Sequence, residues 1–342
     1  MTPALSNWGF GEGVRAVAPS HCGLINQTFL VERSGQGLAV LQRLNTAIFT
    51  PQVHEDIEAV TRHLEARGVS TPRLIPCTSG DLWHTDASGH VWRCLTLVGD
   101  TTMDRFHHDS QVGSAGHIVG RWHEALKDLS WSFRSVREGA HDTPKHMGLL
   151  ASAVGEHRDH RLYDEVATLA ETIARGWEGW EGPQELPVRV IHGDLKVSNL
   201  RFTGDRATAL IDLDTCAWGT LDVELGDALR SWCNPAGEDE AKPDFRLDWF
   251  EAALKGYADA VGDTGVQDVE WASIVPGVER ICWELASRFA RDALYESYFG
   301  WDPTWGTAGA HNLHRARGQA ALAASVRAMR ADAERAVRRA RA

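Results

Sequence analysis

The sequence lacks several features that would place it in a specialised class of protein. No apolar run approaches the roughly 18 residues that span a bilayer. The start, MTPALSNWGFGEG, has no basic region followed by an apolar stretch, so we expect neither a membrane span nor a signal peptide. The net charge of −12 argues against general nucleic-acid binding, which needs clustered Lys and Arg. We therefore expect a cytoplasmic protein.

Cysteine pairing patterns are also missing. The six cysteines are scattered, with no C-x-x-C pair and no dense framework, which indicates reduced residues of small apolar character. They are Cys22, Cys77, Cys94, Cys216, Cys233 and Cys282. The chain has no internal repeat and no low-complexity linker. What remains is an ordinary globular composition in 342 residues, a length that usually divides into two lobes.

The first hundred residues show strand patterns separated by turns. Residues 26–33 and 38–44 predict two β-strands joined by the Gly-containing turn SGQG, and a second hairpin is predicted around residues 86–89. Between the hairpins a helix is predicted, capped by Thr50 and ended by Gly68. These patterns predict a small antiparallel-sheet lobe with one helix over residues 1–95.

From about residue 100 the sequence changes to long helical patterns. In GSAGHIVGRWHEALKDL, for example, Ile118, Trp122 and Leu126 recur at helical spacing, and two further helical runs lie near the C-terminus. One strand-like stretch with a polar loop interrupts these helices. We therefore expect residues 96–342 to form a larger, mainly helical lobe.

The polar loop carries the clearest chemical pattern in the chain. In RVIHGDLKVSNLRF, Asp194 is followed five residues later by Asn199, with Lys196 between them. Asp212 stands 18 residues after Asp194, inside the apolar context ALIDLDT. The pattern H-x-D-x-x-x-x-N followed by a strand ending in Asp is typical of the catalytic loop and the metal-binding Asp of protein kinases.

Phosphoryl transfer explains why these residue types stand at this spacing. Its transition state spreads charge over the oxygens of the transferred group, so the protein must mainly position the reactants and supply positive charge. Asp194 would accept the proton of the attacking hydroxyl, and Lys196 would neutralise the phosphoryl group. Asn199 and Asp212 would hold Mg²⁺ through oxygen ligands, and His192 would fix the loop by hydrogen bonding.

Other interpretations of these motifs remain open. A lone H-G-D in a loop is usually a turn with a satisfied His. A strand ending in D-x-D is also typical of phosphatases that use the first Asp as nucleophile and the second as acid. That pattern expects Thr or Val two places after the second Asp, where this chain has Cys216. The joint occurrence of all four polar positions favours the kinase interpretation.

The stretch VIHGDLKVSNLRF with the following ALIDLDT resembles the aminoglycoside phosphotransferase and choline kinase superfamily. Three further segments are similar to its N-acetylhexosamine 1-kinase branch. These are GLINQTFLVE with VLQRLN, IDLDTCAWGTLDVELGDALRSWCNPAGEDE, and ELASRFARDALYESYF with HNLHRARGQ. The resemblance covers nearly the whole chain. It implies a two-lobed, protein-kinase-like α+β fold with ATP bound between the lobes.

The resemblance also implies roles for residues outside the polar loop. Asp194 would act on the anomeric hydroxyl of a sugar, giving a sugar 1-phosphate. Asp214 and Asp227 would support the metal-binding Asp and the geometry of the loop. ATP would be held by a turn over its phosphates and by backbone groups of the connector between the lobes. These residues are Gly23, Asn26, Thr28, Leu95, Thr96 and Val98.

Two positions depart from the expected pattern. The second strand reads AVLQR, so the Lys with which kinases hold the α- and β-phosphates is replaced by Gln42, with Arg43 as the nearest cation. Which of the two faces ATP depends on the strand register, since alternate residues point to opposite faces. Glu55 and Glu58 are both possible for the usual Glu partner on the helix. The loop reads HGDLK, where the sugar kinases have Asn-Asp-Thr-Lys.

For the acceptor pocket, the sequence offers a row of polar residues on one helix. Glu284, Arg288 and Asp292 share a helix face, which is typical either of a salt-bridged surface or of hydroxyl recognition. The resemblance favours recognition of a sugar. Trp218, beside the metal loop, would stack on a sugar ring or pack within its loop.

The leading hypothesis is an ATP- and Mg²⁺-dependent kinase for a hydroxyl of a small sugar, foremost the anomeric hydroxyl of an N-acetylhexosamine. An aminoglycoside is the alternative acceptor within the same fold. A non-catalytic nucleotide- or sugar-binding module is the alternative from another class, suggested by the missing Lys. The expected partner is a small molecule, with neither nucleic acid nor membrane, and the oligomeric state stays open with a monomer favoured.

Overall fold

Two lobes of different secondary structure follow one another along the chain. The structure is a computed structural model that describes residues 3–17, 26–239, 242–262 and 265–342. In the first lobe the strands form an antiparallel sheet, with one helix between the third and fourth strands. The elements are β1 (Val14–Val17), β2 (Gln27–Arg33), β3 (Gln36–Arg43), α1 (Val53–Ala66), β4 (His84–Thr85) and β5 (Val91–Thr96), and the sheet order is β1-β2-β3-β5-β4.

Local sequence explains the turns of this lobe. Ser34 and Gly35 join β2 to β3 with φ values of 51° and 81°, so both central residues are left-handed, as a two-residue hairpin turn requires. The second hairpin turns at residues 86–90, where the backbone N–H of Asp86 donates to the carbonyl of His90 at 2.9 Å. Both predicted hairpins are therefore confirmed.

Helix α1 buries the stripe predicted from its sequence. It begins at Val53, and the residue at its N-cap position is Gln52, whose side chain makes no capping bond, in place of the predicted Thr50. Gly68 has φ +68° and ends the helix. The buried stripe packs into the core and consists of Val53, Ile57, Val60 and Leu64.

The second lobe is mainly helical, with two small two-stranded sheets. Among the described residues, no helix is both long and apolar enough to cross a membrane. The predicted fold, a small antiparallel-sheet lobe followed by a large helical lobe, is confirmed. Its elements are α2 (Asp109–Leu126), α3 (Thr143–Glu156), α4 (Tyr163–Glu178), β6 (Val188–Ile191), β7 (Leu200–Thr203), β8 (Arg206–Leu210), β9 (Ala217–Thr220), α5 (Leu221–Trp232), α6 (Leu247–Val261), α7 (Asp268–Tyr295), α8 (Ala308–Ala328) and α9 (Arg330–Arg341).

Helices α2 and α6 approach each other closely because glycines face the contact. A Cβ atom on Gly116 would lie 2.0 Å from the carbonyl oxygen of Ala253, and one on Gly256 would lie 1.9 Å from that of Gly113. Any larger residue at either position would force the helices apart. Helix α2 in turn packs against β6 and β8, the strands that flank the segment containing the polar loop.

One hydrophobic core extends through both lobes. It includes Ile57 and Leu64 of α1, Trp122 of α2, Leu195 in the polar loop and Phe250 of α6, all of them nearly inaccessible. Burial on this scale stabilises the arrangement by roughly 25 cal/mol for each Å² of apolar surface removed from water. The polar loop is therefore anchored at the junction of the two lobes.

Candidate active site

The polar loop follows directly on strand β6. Gly193 has φ +77°, a conformation that glycine adopts without steric cost, so the chain turns sharply there. The Nε2 atom of His192 lies 2.9 Å from the carbonyl oxygen of Ile211, and the Thr215 hydroxyl donates to the His192 carbonyl at 2.7 Å. These contacts tie the loop to the segment that follows β8.

Two side chains converge on one oxygen of Asp194. The Nζ atom of Lys196 donates to Oδ2 of Asp194 at 2.7 Å, and Nδ2 of Asn199 donates to the same oxygen at 2.9 Å. Burial alone would raise the pKa of Asp194, but the charge of Lys196 outweighs it and holds the pKa below its ordinary value. The carboxylate is thus ionised at neutral pH, and with 29% of its side chain exposed it remains reachable.

Asp212 is a carboxylate without a counter-charge in contact. Its backbone is left-handed, with φ +64°, which is uncommon for a residue other than glycine. Within the described part of the chain its side chain makes no hydrogen bond or ion pair. Burial, followed by the charges of Asp214 and Asp194, raises the pKa of Asp212 to about 7. A site of this kind favours a bound cation.

The residues present fit a magnesium ion shared with a nucleotide. Among the described residues, no three side chains of the His, Cys, Asp and Glu types cluster as a complete metal site. Mg²⁺ in phosphoryl-transfer sites commonly takes one or two protein oxygens and completes its shell with phosphates and water. Asp212 would supply a carboxylate oxygen. Asn199 would supply its amide oxygen, because its nitrogen already donates to Asp194.

A buried carboxylate that the sequence pattern did not reveal holds the loop backbone. Glu224 on α5 is 1% exposed and accepts the backbone N–H groups of His192 at 2.8 Å and Gly193 at 2.9 Å. Burial would raise the pKa of Glu224, but the hydrogen bond from His123, the charges of His123 and His192 and the Gly193 N–H together lower it. Glu224 therefore fixes the turn that precedes Asp194.

A fully buried ion pair joins the sheet lobe to the metal loop. Gln42 on β3 is paired across the sheet with Arg93 on β5, and Arg93 is 1% exposed. Both terminal nitrogens of Arg93 donate to Asp214, one of them at 2.7 Å, and its Nε donates to Gln42 at 2.9 Å. Asn26 adds a third donor to Asp214 at 2.7 Å. Asp214 stands two residues after Asp212, so this network also positions the metal loop.

The contacts of Gln42 answer the question of strand register. Its Nε2 donates to the Thr28 hydroxyl at 3.0 Å and its oxygen accepts from Arg93, so Gln42 faces the second lobe. Arg43 consequently points to the opposite face, since alternate strand residues do so. The cation nearest to the expected phosphate-binding position is therefore Arg93, on the neighbouring strand, and sequence reasoning missed it.

The two glutamates of α1 that were expected as possible partners do not take part in this network. Glu55 pairs with Arg134, and Glu58 pairs with Arg62 and Arg73. The Lys–Glu pair of kinases thus has no counterpart among these residues. In this chain the buried Arg–Asp pair provides the link between the sheet and the second lobe.

Helix α1 instead places a neutral histidine against the buried pair. His54 is inaccessible, its Nδ1 lies 2.7 Å from the Pro51 carbonyl oxygen, and within the described residues its Nε2 has no partner. Burial, followed by the charge of Arg93, lowers the pKa of His54 to about 4. The folded protein therefore binds a proton here less readily than the unfolded chain does.

We expect His54 to make the protein less stable in mild acid. Because its folded-state pKa lies below the unfolded value, stability falls as the pH drops from about 6.5 towards 4, by roughly 2 kcal/mol between pH 7 and pH 5. Replacing His54 with Asn, which retains a donor for the Pro51 carbonyl, should reduce the pH dependence by that amount. Urea unfolding at both pH values measures it, and an unchanged difference between the two pH values would contradict the assignment.

The residues predicted to hold ATP are only partly free to do so. Gly23 lies outside the described residues. Contrary to expectation, both polar groups of the Asn26 side chain are engaged within the chain, by Asp214 and by the backbone N–H of Asn45. The Thr28 hydroxyl accepts a hydrogen bond from Gln42, which places Thr28 on the face of the sheet that looks towards the second lobe.

The connector between the lobes is tied to its surroundings at several atoms. Thr96 donates its N–H to the Arg73 carbonyl at 2.8 Å, and the Val98 carbonyl accepts from Nε of Arg201 at 2.7 Å. Leu95 pairs with Val40 in the sheet and ends up largely buried. The adenine contacts expected of Leu95, Thr96 and Val98 therefore stay a prediction that rests on the remaining backbone groups.

The predicted row of residues on α7 has three distinct environments. Glu284 is fully buried and accepts from the Thr143 hydroxyl at 2.7 Å, with His141 Nδ1 at 3.0 Å. Arg288 is 20% exposed at its side chain. Asp292 accepts the backbone N–H groups of residues 297–299, so its carboxylate is occupied and is not free to recognise a hydroxyl.

The other two predicted residues also have contacts within the chain. Asp227 accepts from Arg230 at 2.8 Å, and it does not contact Asp212 directly. Trp218 is 42% exposed and donates to the Trp131 carbonyl at 2.9 Å, so it packs against the loop after α2. Because much of its ring surface is exposed, stacking of Trp218 on a sugar ring stays a prediction.

A cavity of about 180 Å³ opens beside Lys196. It lies between the polar loop, the end of α5 and the residues that precede α2, and both charged and aromatic side chains line it. Its polar walls include Arg230, which is held by Asp227 and by Glu238 at 2.6 Å. The space next to the catalytic side chains is thus large enough for a small molecule. The remaining lining residues include Asp104, Arg105, Phe106, Ser198, Trp232, Asn234 and Trp249.

Known proteins match this chain in sequence and in fold. The sequence profile of the phosphotransferase enzyme family fits residues 18–261. This chain belongs to the phosphotransferase enzyme family. The superfamily suggested by its polar loop is thereby confirmed.

Among curated relatives, the phosphotransferase is similar to homoserine kinases. It is 28% identical to that of Sinorhizobium medicae over 212 residues, which cover 61% of this chain and 59% of the relative. It is 24% identical to that of Allorhizobium ampelinum over 280 residues, covering 80% and 78%. This chain spans only about half to three fifths of the length of the first curated relatives that it matches.

Solved structures share the fold of the phosphotransferase. An aminoglycoside phosphotransferase from Alicyclobacillus acidocaldarius has a TM-score of 0.65 at 15% identity, covering 98% of this chain and 96% of its own. A microcompartment-associated aminopropanol kinase has a TM-score of 0.61 at 17% identity, covering 97% of both chains. An amicoumacin kinase in complex with AMP-PNP and Ca²⁺ has a TM-score of 0.57 at 15% identity, covering 89% and 88%. At these identities the likeness shows the protein-kinase-like fold alone.

Proposed function

We propose that this phosphotransferase moves the γ-phosphoryl group of ATP, with Mg²⁺, to a hydroxyl of a small molecule bound beside Asp194. The observation that carries the proposal is the convergence of Lys196 and Asn199 on one oxygen of Asp194. This arrangement leaves the other carboxylate oxygen as a proton acceptor. The negative charge of Asp194 contributes to the raised pKa of Asp212, as expected for two carboxylates in one site.

The proposed reaction assigns a task to each of these side chains. The acceptor oxygen bonds to the γ-phosphorus, the bond from that phosphorus to the bridging oxygen of ADP breaks, and the hydroxyl proton passes to Asp194. Lys196, already held at 2.7 Å from Asp194, supplies positive charge next to the transferred group. Mg²⁺, when bound by Asp212 and Asn199, would neutralise phosphate charge.

Two classes of acceptor have support. Segments such as ELASRFARDALYESYF and HNLHRARGQ resemble N-acetylhexosamine 1-kinases, which supports the anomeric hydroxyl of a hexosamine. The similarity to homoserine kinases supports a small hydroxy amino acid. Both acceptors are small enough for a site beside the 180 Å³ cavity.

A coupled assay of ADP release tests the proposed function. The panel would contain hexoses, N-acetylhexosamines, hydroxy amino acids and aminoglycosides, each with and without Mg²⁺. We expect at least one acceptor to stimulate ADP release, only with the metal present, and mass spectrometry to show one added phosphoryl group on that acceptor. ADP release that no acceptor stimulates would reject the proposal and favour a nucleotide-binding role.

A further inference from the structure

One wall of the cavity beside Lys196 is a short segment that follows α5. We call residues 234–239 the wall segment. Lys196, which also lines the cavity, contacts the carboxylate of Asp194 at 2.7 Å, so the wall segment borders the space next to the proposed base. The cavity-lining residues of the wall segment are Asn234, Pro235, Gly237 and Glu238.

Side chains hold the wall segment in shape, since it contains turns but no helix or strand. Within it, the side chain of Asn234 donates to the Gly237 carbonyl at 2.8 Å. Glu238 joins it to α5, because this carboxylate accepts from Arg230 at 2.6 Å. Arg230 is itself buried and also donates to Asp227 at 2.8 Å. The first part of the wall segment is therefore fixed to the helix from which it emerges.

The last residue of the wall segment is fastened to α8, which lies far along the chain. The Oδ1 atom of Asp239 accepts from Nε of Arg315 at 2.6 Å and lies 2.9 Å from Nε2 of His311. The carbonyl oxygen of Asp239 lies 2.9 Å from Nε2 of His314. Three side chains of one helix thus contact one residue of the wall segment. We call Asp239, His311 and Arg315 the clamp.

The contacts of His311 determine its tautomer. Its Nδ1 accepts the backbone N–H of Asp302 at 3.1 Å, so the ring proton is on Nε2, which donates it to Asp239. The His311 side chain is 1% exposed and stacks on Trp305, with ring centroids 5.1 Å apart and planes inclined by 5°. His311 is therefore a donor held in one orientation towards the carboxylate.

The clamp adds little to the stability of the fold as a whole. The side chain of Asp239 is 60% exposed, and ion pairs with exposed carboxylates are weakened by water. What the clamp restricts is the backbone of Asp239, which directly follows Glu238 in the cavity wall. A buried His and a largely buried Arg thus fix a surface segment that borders the cavity.

We propose that the clamp positions the wall segment for binding of the phosphoryl acceptor, so that Asp239, His311 and Arg315 are positioning residues of the reaction. This inference rests on the proposed function. None of the three lines the cavity, so they act through Glu238 and the residues beside it. A wall that is already in place when the acceptor arrives reduces the conformational entropy lost on binding.

Loss of the clamp should weaken binding of the acceptor and leave the chemical step intact. For the acceptor that stimulates ADP release most strongly, we expect Asp239→Ala to raise its KM roughly 10-fold, since the wall segment must then be ordered anew in each complex. The kcat and the KM for ATP should stay within about 3-fold, because Asp194, Lys196 and Asp212 lie outside the wall segment. Asp239→Asn keeps an oxygen for both donors and should raise the acceptor KM by no more than about 3-fold.

Glu165→Ala is the matched control. Glu165 on α4 accepts from Arg317 of α8 at 2.6 Å, and its side chain is 51% exposed, so this variant removes a comparable carboxylate from the same helix. Its acceptor KM should equal that of the wild type. Turnover by Asp239→Ala with an equally unchanged acceptor KM would overturn the proposal and leave the kinase function standing.

Hydrogen exchange tests the clamp without any acceptor. The N–H of Gly237 donates to the Asn234 carbonyl at 3.0 Å, so it reports on the shape of the wall segment. In Asp239→Ala we expect this amide to exchange roughly 10-fold faster, and in Glu165→Ala at the wild-type rate, measured by mass spectrometry of a peptide that covers residues 234–239. Unchanged exchange in Asp239→Ala would show that the clamp does not hold the wall segment and would overturn the proposal. Absence of turnover with every acceptor would instead reject the proposed function together with this role of the clamp.

Discussion

Replacing Asp194 with Asn should lower kcat by roughly 100- to 10,000-fold, the range over which general-base catalysis contributes. Asn has nearly the same shape and keeps an oxygen for Lys196 and Asn199, whose donors now meet at 2.7 and 2.9 Å. It cannot take the proton of an acceptor hydroxyl at neutral pH. Binding of a non-hydrolysable ATP analogue, measured by calorimetry, should stay within about 3-fold of the wild type.

Asp205→Asn provides the control for this change. Asp205 is an exposed residue in the turn between β7 and β8, where it accepts a hydrogen bond from Gln111 at 2.7 Å. The same substitution there should leave both kcat and analogue binding unchanged. If Asp194→Asn retained turnover close to that of Asp205→Asn, another group would have to accept the proton, and the assignment of the base would fail.

The contacts within the polar loop were predictable because they are local. Asp194, Lys196 and Asn199 lie within six residues, and their side chains meet in hydrogen bonds. The glycine that turns the loop, Gly193, and the strand before it are equally visible in the sequence. Hairpins and amphipathic helices were predictable for the same reason, since each depends on neighbouring residues.

The supporting residues were not predictable because their partners are distant in sequence. Arg93 lies 121 residues from Asp214, and Glu224 lies 32 residues from the N–H of His192. Nothing in the sequence context RCLTL or DVELG indicates such contacts. The strand register was a partial signal, since pairing β3 with β5 places Arg93 beside Gln42, but sequence alone does not determine which strands are neighbours.

The residues predicted for the acceptor pocket lie between these two cases. Helical spacing correctly placed Glu284, Arg288 and Asp292 on one face, but it did not distinguish their tasks. Asp292 is occupied by the backbone N–H groups of residues 297–299, while Arg288 has no carboxylate within hydrogen-bonding distance among the described residues. That difference arises because the chain folds back after α7. Helical periodicity ends with the helix, so it does not predict the contacts of the segment that follows.

The second large effect is expected for the buried ion pair. Replacing Arg93 with Met should destabilise the protein by about 3–5 kcal/mol, because Asp214 would remain buried with no cation beside it. Among the described residues, only Asn26 would still donate a side-chain hydrogen bond to this carboxylate, at 2.7 Å. Urea unfolding followed by tryptophan fluorescence and by circular dichroism measures the loss, and the two probes should coincide if unfolding is two-state.

The double variant Arg93→Met with Asp214→Asn separates loss of a pair from loss of packing. A neutral Asn needs no counter-charge and can still accept from Asn26, so most of the lost stability should return. Arg15→Met is the control for an exposed ion pair. Arg15 pairs with Glu32, and its side chain is 71% exposed, so this substitution should change stability little. If the double variant were as unstable as Arg93→Met alone, the cost would come from a poorly filled core. The two lobes would then be joined here by packing, and the metal loop would owe nothing to the charge of Arg93.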